Sequence, residues 1–279
     1  MSRGKRKRQL PQGRSDAEES AVAPTPTPNS TQMPQTGDDA QRSERRAALL
    51  KPGIAAAFLM LIAVVALIAI TQDGGNGGDV RLEGVNAVKR ELRGIPQGNL
   101  IIGDPTAEVA LLEFGDLQCF GCRKVAEEAL PAVISSKVRS GESRIEFVNY
   151  PVIGDESVKA ARAAIAAGNQ GRGWNFVELF YRNQGKENSG YVTDAFLTAI
   201  AEGAGVADID KWNRDREGDA SLAEIKLAKK EGKQLGVSVT PSFSLAYGKT
   251  GYSFIGTPLE ATQLEEAIEH GIQLAKAGG

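Results

Sequence analysis

The chain has 279 residues, a net charge of −2, two cysteines and one histidine. Two cysteines exclude a multi-disulfide scaffold. The single His270 excludes a histidine-rich zinc site and, unless it takes part itself, a Ser-His-Asp triad. The near-neutral balance points to no nucleic-acid partner, although charge is uneven: residues 1–51 carry 10 Lys/Arg against 6 Asp/Glu, the remainder 23 against 29.

Residues 1–51 are polar, with a basic run, Arg3-Gly-Lys-Arg-Lys-Arg8, and a Pro/Thr-rich stretch from Ala23 to Thr36. They offer too little apolar surface to offset the entropy of ordering, which predicts a disordered cytoplasmic arm. Nothing aromatic or folded accompanies the basic run, so a solvated tail beside a membrane fits better than nucleic acid. Ile54 to Ile70 is an unbroken run of 17 apolar residues. With its neighbours, residues 52–71 reach the roughly 20 needed to cross a bilayer. Arg42, Arg45, Arg46 and Lys51 precede the run, so the positive-inside rule places everything after Thr71 outside the cytoplasm. A buried core helix would have nothing to pack against here. A cleaved signal peptide has a shorter apolar core and a far shorter leader, so an uncleaved signal-anchor is expected. Residues 72–84 read as a Gly-rich linker and 85–279 as the folded domain.

Val85 to Arg93 fits a short amphipathic helix, Gly94 to Gly98 a turn, and Asn99 to Ile102 a short edge strand. Val109 to Phe114 is apolar apart from Glu113 and reads as a buried strand. It leads to the only two cysteines, in Gly115-Asp-Leu-Gln-Cys119-Phe-Gly-Cys122. The helix-compatible run that follows places Cys119 at a helix N-terminus. There the unpaired N–H groups and the dipole favour negative charge and lower the thiol pKa. Cys122, one turn along, is placed to attack a mixed disulfide and close the ring. A Cys-x-x-Cys pair is also half of a zinc site, but carboxylates or a second chain would have to complete it. An acid in a strand like that of Glu113 is expensive to bury and should have a raised pKa. If it lies under the cysteines, Glu113 would accept the Cys122 proton; otherwise it faces solvent from the strand.

The helix after Cys122 should run to about Lys137, kinked or divided at Pro131. Arg144 to Tyr150 is a second strand, ended by Pro151. Helices follow at Ser157–Ala167, Trp174–Asn183, Thr193–Glu202, Asp208–Arg216 and Ser221–Leu235, the last stopped by Gly236. Trp174, Phe176, Phe180 and Tyr181 read as core. Val237 to Val239 leads through Thr240-Pro241 to a strand at Ser242–Tyr247, a turn at Lys249–Gly251 and a returning strand at Tyr252–Ile255. Thr257-Pro258-Leu-Glu260 reads as a helix start capped by Thr257. Leu264, Ala267, Ile268, Gly271, Ile272 and Ala275 form the apolar face of that helix, with His270 on another face. This order predicts an α/β, thioredoxin-like fold with a helical insertion at about 155–235, preceded by a disordered arm and one transmembrane helix.

These motifs resemble the DsbA-like thiol-disulfide oxidoreductases of the bacterial extracytoplasmic space. The likeness runs from about Gly94 to the C-terminus. It is carried by Gly103 to Cys122, by Tyr150-Pro151 with its Ala-rich helix, by Phe180-Tyr-Arg-Asn-Gln184, and by Gly236-Val-Ser-Val-Thr-Pro-Ser-Phe243. The resemblance implies a cis Pro241 packed against the cysteine pair, which puts Thr240 beside Cys119, where its backbone would pair with a substrate peptide. One departure stands out. The family usually has Pro after the first cysteine, often followed by His or an aromatic residue; here the pair is Phe120-Gly121, and both residues tune the redox potential.

The expected function is an extracytoplasmic, membrane-anchored oxidase that donates the Cys119–Cys122 disulfide to exported proteins. Catalysis rests on Cys119, Cys122 and Glu113, substrate binding on Thr240, Pro241 and Phe120, with no metal or organic cofactor. With no third cysteine, re-oxidation calls for a separate membrane redox partner. Two other readings stand beside it: a reductase or isomerase kept reduced by a membrane electron donor, and a thioredoxin-fold module that binds peptides without turnover.

Overall fold

The computed structural model describes residues 80–278 apart from Leu259. The basic arm, the apolar run Ile54–Ile70 and most of the linker lie outside the described residues. Among the described residues no helix is long and apolar enough to cross a membrane.

A six-stranded sheet forms the framework, in the order β1 (Gln97–Gly98), β2 (Ile101–Ile102), β4 (Arg144–Asn149), β3 (Val109–Gly115), β5 (Ser242–Tyr247), β6 (Gly251–Gly256). The apolar run before the cysteines becomes β3 because both its faces are covered. It is central, parallel to β4 and antiparallel to β5, with Glu113 opposite Phe147 and Phe243. Residues alternate in side along a strand. Val109, Leu111 and Glu113 therefore share one face, and Leu111, Ile145, Phe147 and Cys122 belong to the main core. Leu112 and Phe114 face the other way, into a smaller cluster with Tyr150 and Val237.

The sheet edge differs from the sequence expectation. Residues 97–98, read as part of a turn, form the outer strand, and β2 sits inside between β1 and β4. A tight hairpin makes this possible: Asn99 adopts φ 52°, a left-handed conformation open to Asn, between the pairs Gly98–Ile101 and Gln97–Ile102.

Helices cover the sheet. The first, α1 (Val85–Glu91), precedes it. After the cysteines, α2 (Phe120–Glu128) and α3 (Leu130–Val133) are separated at Ala129, with Pro131 in the first turn of α3, where its missing N–H costs nothing. A π-helical turn, Ile134–Val138, completes this arm. Five helices lie between β4 and β5: α4 (Asp155–Gly168), α5 (Gly173–Arg182), α6 (Asp194–Ala204), α7 (Ile209–Glu217) and α8 (Asp219–Gln234). Six alanines of α4 are buried, so neighbouring helices approach closely. Trp174, Phe176, Phe180 and Tyr181 are all core. The two indoles are hydrogen-bonded, Trp174 donating to the Leu100 carbonyl at 2.8 Å and Trp212 to that of Ala163 at 2.9 Å. Gly236, at φ 85°, ends the helical block in the left-handed conformation expected of a C-terminal stop.

The last helix, α9 (Ala261–Ala277), starts later than predicted. Glu260, not Thr257, is its N-cap, and Glu260 and Gln263 form a reciprocal capping box. Its predicted apolar face packs on the sheet through Leu264, Ile268, Gly271 and Ala275, while His270 is exposed. Each large apolar side chain fully buried there contributes about 1.5–3 kcal/mol.

Candidate active site

Cys119 is the N-cap of α2, with extended backbone at φ −71° and ψ 121°. A turn fixes it, its N–H donating to the Asp116 carbonyl at 2.9 Å, and its own carbonyl accepts the first helical bond from Arg123 at 3.1 Å. The thiol is half-buried. Cys122, one turn on, is fully buried, and both cysteines are free thiols.

The two thiols have opposite tendencies. Cys119 is lowered to about 6. The hydrogen bond from the Cys122 thiol is the largest cause; the Thr240 side chain and the Cys122 and Gly121 amides act the same way, against partial burial. Cys122 is pushed well above the usual thiol range by burial first, then by its hydrogen bond to Cys119 and by the charges of Cys119 and Glu113. At neutral pH Cys119 is therefore the thiolate and Cys122 the thiol.

Thr240 and Pro241 come from the start of β5. The peptide bond between them is cis. The Thr240 carbonyl lies 3.4 Å from Cys119 Sγ and accepts a hydrogen bond from the thiol when it is protonated. Gly121 is packed against this segment: a Cβ there would sit 3.1 Å from Pro241 Cδ and 3.7 Å from Cys119 Sγ. A methyl here would crowd the proline by a few tenths of an ångström. Phe120 turns outward, 63% exposed, with the Arg123 guanidinium 5.5 Å above its ring. Val152 and Val239 are also exposed. Thr240 lies beside the half-buried Cys119 thiol, Pro241 is buried behind it, and Phe120 is exposed next to Cys119 along the chain.

Glu113 lies beneath it. The carboxyl is 1% exposed, and one of its oxygens, Oε1, has no hydrogen-bond partner. Desolvation raises its pKa to about 8, with the charges of Glu178 and Cys119 adding to the shift. The solvent-facing alternative for Glu113 does not hold.

Several residues of this site were not singled out from the sequence. Asp116 is buried, and its carboxylate accepts from the N–H groups of Gln118 (2.9 Å), Val152 (2.8 Å) and Ile153 (3.0 Å), tying the cysteine loop to the segment after Pro151. The Gln118 side chain reaches Ser157 Oγ at 2.9 Å and accepts from Asn188 N at 2.8 Å. Gln184 donates to the carbonyls of Leu117 (2.7 Å) and Cys119 (3.2 Å), and the Tyr181 hydroxyl to that of Asp116 (3.3 Å). An Asp two residues before a loop glutamine is the signature of an Asx turn, the one local signal that pointed here. Tyr181 and Gln184 lie in the Phe180–Gln184 stretch that carries the resemblance, but their contacts act across the fold and no local pattern marks them.

The family model described as Thioredoxin matches residues 96–270, well over half of the chain. The chain belongs to this thioredoxin family. Among curated members, the probable disulfide bond formation protein D of Bacillus cereus is 27% identical over 144 residues, 50% of this chain and 67% of that protein. Disulfide bond formation protein D of Bacillus subtilis is 26% identical over 132 residues, 46% of this chain and 60% of that protein. The matched stretch thus spans about two thirds or less of each relative. Among solved structures, oxidised BdbD from Bacillus subtilis superposes with a TM-score of 0.56 at 18% identity, covering 64% of this chain and 98% of that one. Wolbachia pipientis alpha-DsbA1 gives 0.53 at 19% identity, covering 64% and 93%. These likenesses establish a shared fold. With the paired thiols at the helix N-terminus and the curated relatives, they make this thioredoxin-family chain a protein thiol-disulfide oxidoreductase.

Proposed function

We propose that the chain is a disulfide donor acting on exported proteins outside the cytoplasm, held at the membrane by residues 54–70. The observation that carries this reading is the split between the two thiols. A Cys119 thiolate stabilised to about 6 favours the reduced form of the protein and hence makes its disulfide oxidising. The names of the Bacillus relatives support the same direction.

In the proposed step a substrate thiolate attacks Cys119 Sγ, forming a mixed disulfide and breaking the Cys119–Cys122 bond. Cys122 leaves with the electron pair and takes a proton from Glu113, which at about 8 still holds one at neutral pH. A second substrate thiolate then attacks the substrate sulfur of the mixed disulfide. Cys119 leaves as a thiolate, the substrate is oxidised by two electrons, and the protein is left reduced. In this reading Thr240, whose carbonyl lies at Cys119 Sγ, and the exposed Phe120 contact the peptide, with Pro241 holding the Thr240 segment in place. A separate membrane oxidant restores the disulfide, because the chain has no third cysteine.

A reductase kept reduced by a membrane donor is the second reading. It needs Cys122 to lose its proton as it attacks a mixed disulfide, and the Glu113 carboxyl, ionised as pH rises through about 8, is the base within the fold. Equilibration of the full chain with glutathione separates the two. A potential near about −120 mV supports the donor, and one near about −270 mV the reductant. With Cys122→Ser, substrates should be trapped on Cys119. If no disulfide forms at any poise, both redox readings fail and a binding module replaces them.

A further inference from the structure

A cleft of about 670 Å³ opens between the end of α1, β1, the loop before α5 and the end of α6, and includes no residue of the cysteine site. Lys89, Arg93 and Arg172 line it, and no carboxylate does. Among the described residues none of these three cations makes an ion pair. Leu92, Ile95 and Ala204 supply apolar wall.

Three cations without a counter-ion suit an anion, and two further observations point the same way. Arg172 is the N-cap of α5, a helix of 10 residues whose first turn holds no acid and no side-chain cap. Its first N–H groups and the positive end of its dipole are open to negative charge. Asn175, in that first turn, lines the cleft although it is only 4% exposed, and its Oδ1 has no hydrogen-bond partner. Gln97, from β1, lines the same cleft with an unpartnered Oε1. A buried amide without a partner is costly. Turned over, each amide offers an N–H to an oxyanion.

The surrounding backbone does not oppose this charge. The last carbonyls of α1 would repel an anion, but Arg139 donates to those of Glu91 at 2.7 Å and Arg93 at 3.0 Å. Arg172 Nε donates to the Gly205 carbonyl at 3.2 Å, which fixes the guanidinium and leaves its terminal N–H groups for a ligand.

We propose that this cleft binds the phosphate group of a phosphoester, with Lys89, Arg93 and Arg172 as its cations and the N-terminal turn of α5 as its backbone seat. Phosphate is the oxyanion that draws on two guanidinium forks, an ammonium and a helix N-terminus together. The cleft is larger than the phosphate itself, so the organic part of the ester lies against Leu92, Ile95 and Ala204. Binding involves no covalent step and does not depend on the thiol chemistry. A soluble phosphoester and a lipid headgroup share this chemistry.

The test is calorimetric titration of inorganic phosphate into the full chain in neutral detergent. The parent should bind a single phosphate, and Arg93→Gln and Arg172→Gln should each weaken it about tenfold or more. Lys226→Gln, at an exposed position of α8 outside the cleft, should leave the affinity unchanged. No binding by the parent, or an equal loss in Lys226→Gln, overturns the site. Acetate competing as well as phosphate overturns the phosphate assignment. Glycerol phosphate and dihexanoyl phosphatidylglycerol then separate the sources: stronger displacement by the first supports a soluble ester, by the second a lipid headgroup. Equal displacement supports recognition of the phosphate group alone, and displacement by neither overturns the proposal. Arg93→Gln should keep the parent's potential against glutathione, so loss of phosphate binding and loss of the redox function are read separately.

Discussion

Replacing Glu113 by Gln should stabilise the protein at neutral pH. Burial moves this carboxyl from its ordinary 4.5 to about 8. An acid whose folded pKa is raised contributes stability that is complete below pH 4.5 and is lost as pH rises through 8. At pH 7 the unfolded chain ionises Glu113 and the folded protein keeps it protonated. At about 1.4 kcal/mol per pH unit, that difference costs the fold about 3 kcal/mol. Gln is close in shape to the protonated acid and has no proton to lose, so Glu113→Gln removes this cost while its packing is preserved. The assay is urea unfolding of the reduced full chain between pH 4.5 and 8.5, followed by fluorescence. The only two tryptophans, Trp174 and Trp212, are fully buried and report the folded core. The parent should lose stability across this window, with Glu178 supplying part of the slope because it is raised in the same way. The variant should be flatter and, at pH 7, more stable by about 3 kcal/mol. A variant no more stable than the parent at pH 8, or a parent whose stability is level from pH 5 to 8, would refute the assignment of a buried, uncompensated acid.

Alkylation of the reduced protein should follow the ionisation of one thiol with a midpoint near 6, and Cys119→Ser should abolish that phase while Cys122→Ser leaves a reactive thiol behind. Thr240→Val removes a side chain that lowers Cys119, so the alkylation midpoint should rise and the disulfide become less oxidising, read by glutathione equilibration. Asp116→Ala strips the acceptor from three N–H groups and should cost about 3 kcal/mol or more in chemical unfolding. Gly121→Ala places a methyl 3.1 Å from Pro241 Cδ; reduced affinity for a cysteine-containing peptide, with the Cys119 midpoint retained, is the expected outcome of that crowding.

Much of this protein is written in short-range signals. The spacing of Cys119 and Cys122, the apolar run before them and the helix-forming run after them each lie within a few residues. They determined the strand–turn–helix context and the place of Cys119 at the helix N-terminus. The resemblance through Gly236 to Phe243 brought Thr240 and Pro241 beside the cysteine loop. Local chemistry also marked the stop at Gly236 and the break near Pro131. It erred where two local solutions competed. Thr257-Pro258 and Glu260-Ala-Thr-Gln263 both look like helix starts, and the reciprocal capping box prevailed. Residues 94–102 admit a turn or a hairpin, and pairing of β2 with β4 favours the hairpin.

The tertiary structure decided what the side chains experience. Whether Glu113 faces solvent or core depends on the helices that bury that side of β3, among them α9, whose Gly271 packs on Val109 of the same face, not on the strand's own residues. The contact of Cys119 with Thr240 spans 121 positions of chain, and that of Gln184 with Cys119 spans 65. Desolvation and charge depend on distance in space. Hydrophobic period, capping and cysteine spacing depend on distance along the chain. The sequence by itself therefore determined the cysteine pair and its strand–turn–helix setting, and the fold set the protonation of the thiols and the groups that hold them.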